Sequence, residues 1–149
     1  MNYLLDTCVL TELLSDAPDP RVTDWLRKIP SSRLFINALT IGELRKAITT
    51  LPDSTHKDTL IEWMTELVRE YSDRILPICT STADNWGLVQ IHLATTGQAV
   101  SFRDSLIVAT AYTHHLILVT RKTAAFEAGI IPILNPWTIA SSPAEGDSA

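Results

Sequence analysis

The sequence predicts an α/β domain, a parallel sheet covered by helices on both faces. Short apolar runs alternate with stretches of helical periodicity along the whole chain, the pattern of repeated strand–helix–strand units. The runs are mostly continuous, as expected of strands buried on both sides. The size suits one such domain. At 149 residues, 46% of them hydrophobic and 19% charged, the chain can bury roughly two-thirds of its unfolded surface.

Taken in order, residues 2–5 form a first strand and the chain turns at Asp6-Thr7. Residues 9–14 (VLTELL) form a short helix that stops at the turn-rich stretch 15–20 (SDAPDP). Pro20 suits the first position of the next helix, over 21–29. Residues 34–36 are a second strand, followed by a helix over 40–51 that Pro52 ends. A longer helix over 55–71 sets Leu60, Trp63, Met64, Leu67 and Val68 on one face. Residues 75–78 are a short strand, and Pro77 predicts an edge position or a strand end.

Trp86, Val89 and Leu93 recur at helical spacing within a helix over 81–96, with Gly97 as its cap. A tightly packed helix spans 101–115, and 116–120 (LILVT) is a strong strand candidate. A loop or short turn of helix covers 122–126. A last apolar run, 130–134, leads to Asn135-Pro136-Trp137. The single domain therefore covers 1–140, and 141–149 is a flexible polar tail. The four tryptophans read as core or dimer-interface residues.

The formal net charge of −5 argues against a general nucleic-acid coat protein, which would draw its affinity from basic contacts to phosphate. It does not argue against a nuclease, because clustered carboxylates can meet a phosphodiester through a divalent cation. Cys8 and Cys79 both sit in apolar segments and are expected to be buried thiols in a reducing cytoplasm. Neither has zinc-like spacing. No run of roughly 18 apolar residues predicts a membrane span, and the N-terminus lacks the basic region of a signal peptide.

Ligands of open α/β sheets bind beyond the carboxyl ends of the strands. Asp6 ends the first strand, Glu43 follows the second by a short loop, and Asp104 opens the tightly packed helix. Acids brought together there would hold Mg²⁺ or Mn²⁺, which prefer hard oxygen ligands. Local pattern alone favours a plainer role. Thr40-x-x-Glu43 is a literal capping box, and Ser101-x-x-Asp104 has the same form. Acids in a first helical turn are also favoured by the helix dipole.

Larger fragments change that balance. The opening LLDTCVLTELL resembles the motif LLDTNVLSEL of PIN-domain ribonucleases of the VapC and FitB type. Residues 38–45 (ALTIGELR) resemble that family's second motif, with its acid at Glu43, and 104–111 (DSLIVATA) resemble its third, DxLIAATA. Residues 118–121 (LVTR) and 135–137 (NPW) resemble its C-terminal elements. Five fragments in order, over nearly the whole chain, identify the sequence as a member of that family. The resemblance implies a three-layer α/β/α fold with a parallel sheet of four or five strands. It implies Mg²⁺- or Mn²⁺-dependent cleavage of looped or structured RNA, with Asp6, Glu43 and Asp104 as catalytic and metal-binding residues. It also implies a homodimer neutralised by an antitoxin. That partner would bind DNA through its N-terminal part and plug the acidic groove with its C-terminal part.

One departure bears on activity. The family often carries a fourth acid after the TR pair, where this chain reads TRKTAAF. Lys122 stands where Asp or Asn is usual in the family, Ala125 where Asp is often found, and Glu127 lies further along. A one-metal enzyme, a weakened enzyme and a silent module that binds RNA or an antitoxin without cutting all stay open. Lys122 could contact a substrate phosphate or pair with Asp6 or Asp104. Thr7 and Thr120 could hold site carboxylates. Arg121 sits at a strand end near the proposed site. Arg45, Lys46 and Arg103 could hold RNA phosphates or form ion pairs. The histidines form no recognisable site.

Overall fold

The structure is a computed structural model that describes residues 1–126 and 129–140. The tail expected over 141–149, and Glu127, lie outside the described residues. The elements run β1 (Tyr3–Leu5), α1 (Thr7–Glu12), α2 (Pro20–Lys28), β2 (Leu34–Asn37), α3 (Ala38–Thr49), α4 (Thr55–Glu70), β3 (Ile75–Leu76), α5 (Thr80–Thr96), α6 (Phe102–Thr113), β4 (Ile117–Val119) and β5 (Ile133–Leu134). Single 3-10 turns cover Ser31–Arg33, Thr123–Phe126 and Pro136–Thr138.

The five strands form one sheet in the order β3-β2-β1-β4-β5, and every neighbouring pair is parallel. Successive strand residues point to opposite faces, so each strand supplies two cores. Leu5, Ile36 and Val119 join Val9, Val22, Leu44, Ile48 and Met64 on the face carried by α1 to α4. Leu4 and Leu118 join Val89, Leu93, Ile107 and Val108 on the face carried by α5 and α6. This is the three-layer arrangement expected. At one edge, β3 stops at Leu76, just before Pro77, where a missing N–H costs no ladder bond.

Several helix starts differ from the sequence reading by one or two residues, and at α3 the reason is a different cap. Asn37 at the end of β2 accepts from the Leu39 N–H and starts α3 at Ala38. Thr40 is therefore inside the helix, and the capping-box role open to Glu43 is overturned. Ser101 does cap α6, accepting from the Asp104 N–H at 3.1 Å. In α4, Met64 and Leu67 are buried, while Val68, expected on the same face, is exposed. Gly97 ends α5 at φ 69°, a left-handed conformation that glycine adopts without Cβ strain.

The tryptophans are packing residues. Trp25 stands edge-on to Tyr3 with ring centroids 5.1 Å apart, and Trp137 is buried in the α1–α4 core. Among the described residues no helix is long and apolar enough to cross a membrane.

Candidate active site

Strand register sets the floor of the site. Leu5 lies opposite Ile36 on one side and Val119 on the other. The next residues, Asp6, Asn37 and Thr120, therefore emerge side by side at the carboxyl edge, and all three are buried. The chain order reverses between β1 and β4, the usual place for a ligand crevice in such sheets.

Asp6 is 1% exposed yet fully hydrogen-bonded, as a buried carboxylate must be. Its Oδ1 accepts from the Thr7 N–H at 2.8 Å, which also caps α1. Its Oδ2 accepts from the Thr120 hydroxyl at 2.8 Å. The Cys8 thiol is a more distant partner at 3.9 Å. Burial, opposed in part by the Arg121 backbone, pushes the Cys8 thiol above its ordinary pKa, and neighbouring Asp6 adds to the rise.

Glu43 lies in the second turn of α3 and points back to α1, where its Oε1 accepts from the Thr7 hydroxyl at 3.0 Å. Asp104, in the first turn of α6, approaches from the other face of the sheet. The helices carrying these two acids are tied through the sheet. Asn37 caps α3 with its Oδ1 and donates from Nδ2 to the Thr110 hydroxyl of α6 at 2.6 Å.

One guanidinium joins all three acids. Arg103 Nη2 donates to Asp6 Oδ1 at 2.6 Å and lies 2.8 Å from Glu43 Oε1. Its Nε donates to the same Glu43 oxygen at 2.9 Å, and Nη1 donates to Asp104 Oδ1 at 2.8 Å. Nη2 also reaches the Thr7 hydroxyl at 2.9 Å. Partial burial works against the charge of Arg103, but its bonds to Asp6 and Glu43 prevail and hold its pKa above the ordinary value. Among the described residues no three His, Cys, Asp or Glu side chains stand together as an open metal cradle. The guanidinium stands between the carboxylates.

The remaining sequence candidates fall outside this knot. Arg121 is exposed and lies over the Trp137 ring at 5.3 Å, so it forms a cation–π contact. Exposed Lys122 donates its backbone N–H to the Thr120 hydroxyl at 3.1 Å; the ion pairs on the three acids are made by Arg103 instead. The side chain of Ala125 lies outside the described residues. Lys46 and Glu43 line an open groove of about 460 Å³ with Ala38, Leu39, Gly42, Pro77 and Ile78. Arg45 is exposed on the same helix.

Cys79 departs from its expected burial. It is exposed, because it caps α5 beyond the end of β3. Hydrogen bonds from the Ser81 and Thr82 hydroxyls and the Thr82 backbone lower its thiol pKa to about 6.

Two residues beyond the three acids organise the site. Asn37 is the leading kind of N-cap residue and directly follows a strand, a signal that was present. Arg103 was legible only as one of several cations near the acids. Nothing local says that its side chain turns inward.

Known proteins share this arrangement of elements. The PIN domain family matches residues 3–128. Toxin FitB of Neisseria gonorrhoeae is 32% identical over 135 residues, covering 90% of this chain and 97% of that protein. VapC ribonuclease Y4jK of Sinorhizobium fredii is 29% identical over 135 residues, covering 90% of this chain and 96% of its own length. The structure of FitAB bound to an IR36 DNA fragment superposes with a TM-score of 0.88 at 30% identity, covering 93% of this chain and 97% of that one.

Proposed function

This chain belongs to the PIN domain family, and on that premise we propose that it is a divalent-metal-dependent endoribonuclease, the toxin of a toxin–antitoxin pair. The observation that carries the reading is the convergence of Asp6, Glu43 and Asp104 on one cationic group at the carboxyl edge of the sheet. Their donors are hard carboxylate oxygens, the kind Mg²⁺ and Mn²⁺ select. The guanidinium of Arg103 is a stand-in cation that already gathers them, and the chemistry of the donor set fits such an ion in its place.

Asp6 and Asp104 would hold the ion, with Glu43 completing the set. A bound ion of this type supplies an activated water and stabilises charge developing on a phosphodiester. The chain's own residues supply position. Thr120 and the Thr7 backbone fix the Asp6 carboxylate, and Thr7 fixes Glu43. The groove beside Glu43 offers Lys46 for a substrate phosphate and an apolar wall of Leu39, Pro77 and Ile78 for a base. Structured RNA of the tRNA or rRNA kind is the proposed substrate.

The relatives, a toxin and a ribonuclease, support the same reading. The FitAB complex on DNA supports a cognate antitoxin that binds DNA through its N-terminal part. A cytoplasmic location and a homodimer complete the proposal. Leu88, Ile91 and Tyr112, all exposed on α5 and α6, suit the dimer contact.

The test is cleavage of a cellular RNA pool by the purified protein. Activity is expected with Mg²⁺ or Mn²⁺ and none in EDTA. Asp6→Ala and Asp104→Asn should each lose about 100-fold or more, at or beyond the upper end of the range for residues that merely support a metal ligand. A folded protein that leaves the whole RNA pool intact with metal present would overturn the reading. The exposed Lys122 at a position where the family often has an acid favours a second reading, a module that binds without cutting. In that case Lys122→Asp combined with Ala125→Asp creates activity that the unaltered chain lacks.

A further inference from the structure

Arg103 reaches every acid of the site from a single side chain, at 2.6 to 2.9 Å. While it is in place it offsets the repulsion that would otherwise spread the carboxylates or protonate one of them. Its donors hold one oxygen of each acid, Asp6 Oδ1, Glu43 Oε1 and Asp104 Oδ1, and fill the space between the three carboxylates. One guanidinium also brings a single positive charge to three carboxylates, so a divalent ion would balance them better. A cation shared by the three acids would therefore compete with the guanidinium for the same place. The Arg103 side chain is 23% exposed, at the solvent end of α6 beside exposed Phe102, so it can leave without disturbing either core.

We propose that Arg103 is a built-in counter-ion that competes with the divalent cation for Asp6, Glu43 and Asp104. It positions the carboxylates while no cation is bound and swings out when one enters. It thereby sets the cation concentration at which the site loads. The inference rests on the metal-dependent reading above. Arg103 acts here as a positioning residue, and the exchange is a displacement, because the guanidinium keeps its charge throughout.

A purely structural ion pair makes the opposite prediction for metal binding. Removing one would loosen the site and weaken any ion bound there. Competition predicts that Arg103→Gln is less stable than the parent without metal and yet binds Mn²⁺ about tenfold more tightly or better, a coupling of ordinary size between two ligands of one site. The measurement is calorimetric titration of MnCl₂ into the full chain and into Arg103→Gln, Arg103→Lys and Lys46→Gln. Arg103→Lys should fall between the parent and Arg103→Gln, since an ammonium cannot bridge three acids. Lys46→Gln controls for loss of a nearby charge and should change the affinity by less than about twofold, as expected for an exposed, screened cation.

If Arg103→Gln does not fold, the unaltered protein still decides the matter. The Arg103 Nε–H NMR signal should be protected from exchange without metal and lose that protection on titration with MgCl₂. Equal or weaker Mn²⁺ binding by Arg103→Gln, or an Arg103 signal unmoved by saturating Mg²⁺, overturns the inference and leaves the metal site standing. Absence of Mn²⁺ binding by every folded variant overturns both.

Discussion

Asp6 shows how the site is made at the scale of single residues. A carboxylate that is 1% exposed survives burial because a backbone N–H, a hydroxyl and a guanidinium all donate to it. Thr120 is buried and gives Asp6 a hydroxyl donor. Thr120→Val keeps the shape and removes the bond, so it should cost about 1–3 kcal/mol, the usual penalty for an orphaned buried acceptor. A urea denaturation midpoint reads that change; a neutral result would mean that Asp6 finds another donor. The two cysteines give a second contrast. The Cys79 thiol titrates near 6, whereas burial raises that of Cys8. Because the folded Cys79 value is depressed, its thiolate favours the folded state above the ordinary thiol pKa. That contribution disappears as pH falls through about 6. At pH 7 iodoacetamide should label Cys79 at least about ten times faster than Cys8, as read by peptide mass spectrometry. Equal rates would contradict the geometry. The sequence showed Asp6, Glu43 and Asp104 as candidates, because acids after apolar runs have a visible logic. It could not show Arg103 turning inward or Cys79 turning outward, since side-chain direction is set by tertiary neighbours.

At the scale of elements, the site depends on how strand ends become helix starts. Each of β1 and β2 runs into a polar residue that caps the next helix, Asp6 just after β1 for α1 and Asn37 at the end of β2 for α3. Asn37 also bonds to Thr110 in α6, so it links the helix bearing Glu43 to the one bearing Asp104. Asn37→Ala removes a cap worth about 1 kcal/mol and leaves a buried hydroxyl short of a partner, for a total of roughly 2–4 kcal/mol. Thermal denaturation should show that loss, with a further loss of metal affinity as the two acids drift apart; a variant as stable as the parent would contradict the linking role. The strands and helices were legible from apolar runs and periodicity. Their exact starts were less so. Thr40-x-x-Glu43 fits a capping box in sequence, but Asn37 three residues earlier takes the cap and frees Glu43 to reach Thr7.

At the scale of the whole molecule, a five-stranded sheet with a core on each face leaves one open edge for chemistry. It also leaves an apolar surface on the outer layer, where Leu88 is 58% and Ile91 65% exposed. If that surface holds two copies together, Leu88→Glu with Ile91→Lys should yield a folded monomer by light scattering, since charges placed in an apolar contact are costly to desolvate. An unchanged mass would mean that this surface makes no dimer contact. The three-layer order was legible from the alternation of elements. Crystals of the full chain grown with MnCl₂ test the central claim most directly. The account predicts an anomalous Mn²⁺ peak bound by Asp6, Glu43 and Asp104, with Arg103 turned away from all three. A protein that cuts RNA while its crystals show no Mn²⁺ there, and Arg103 still bridging the acids, would contradict it.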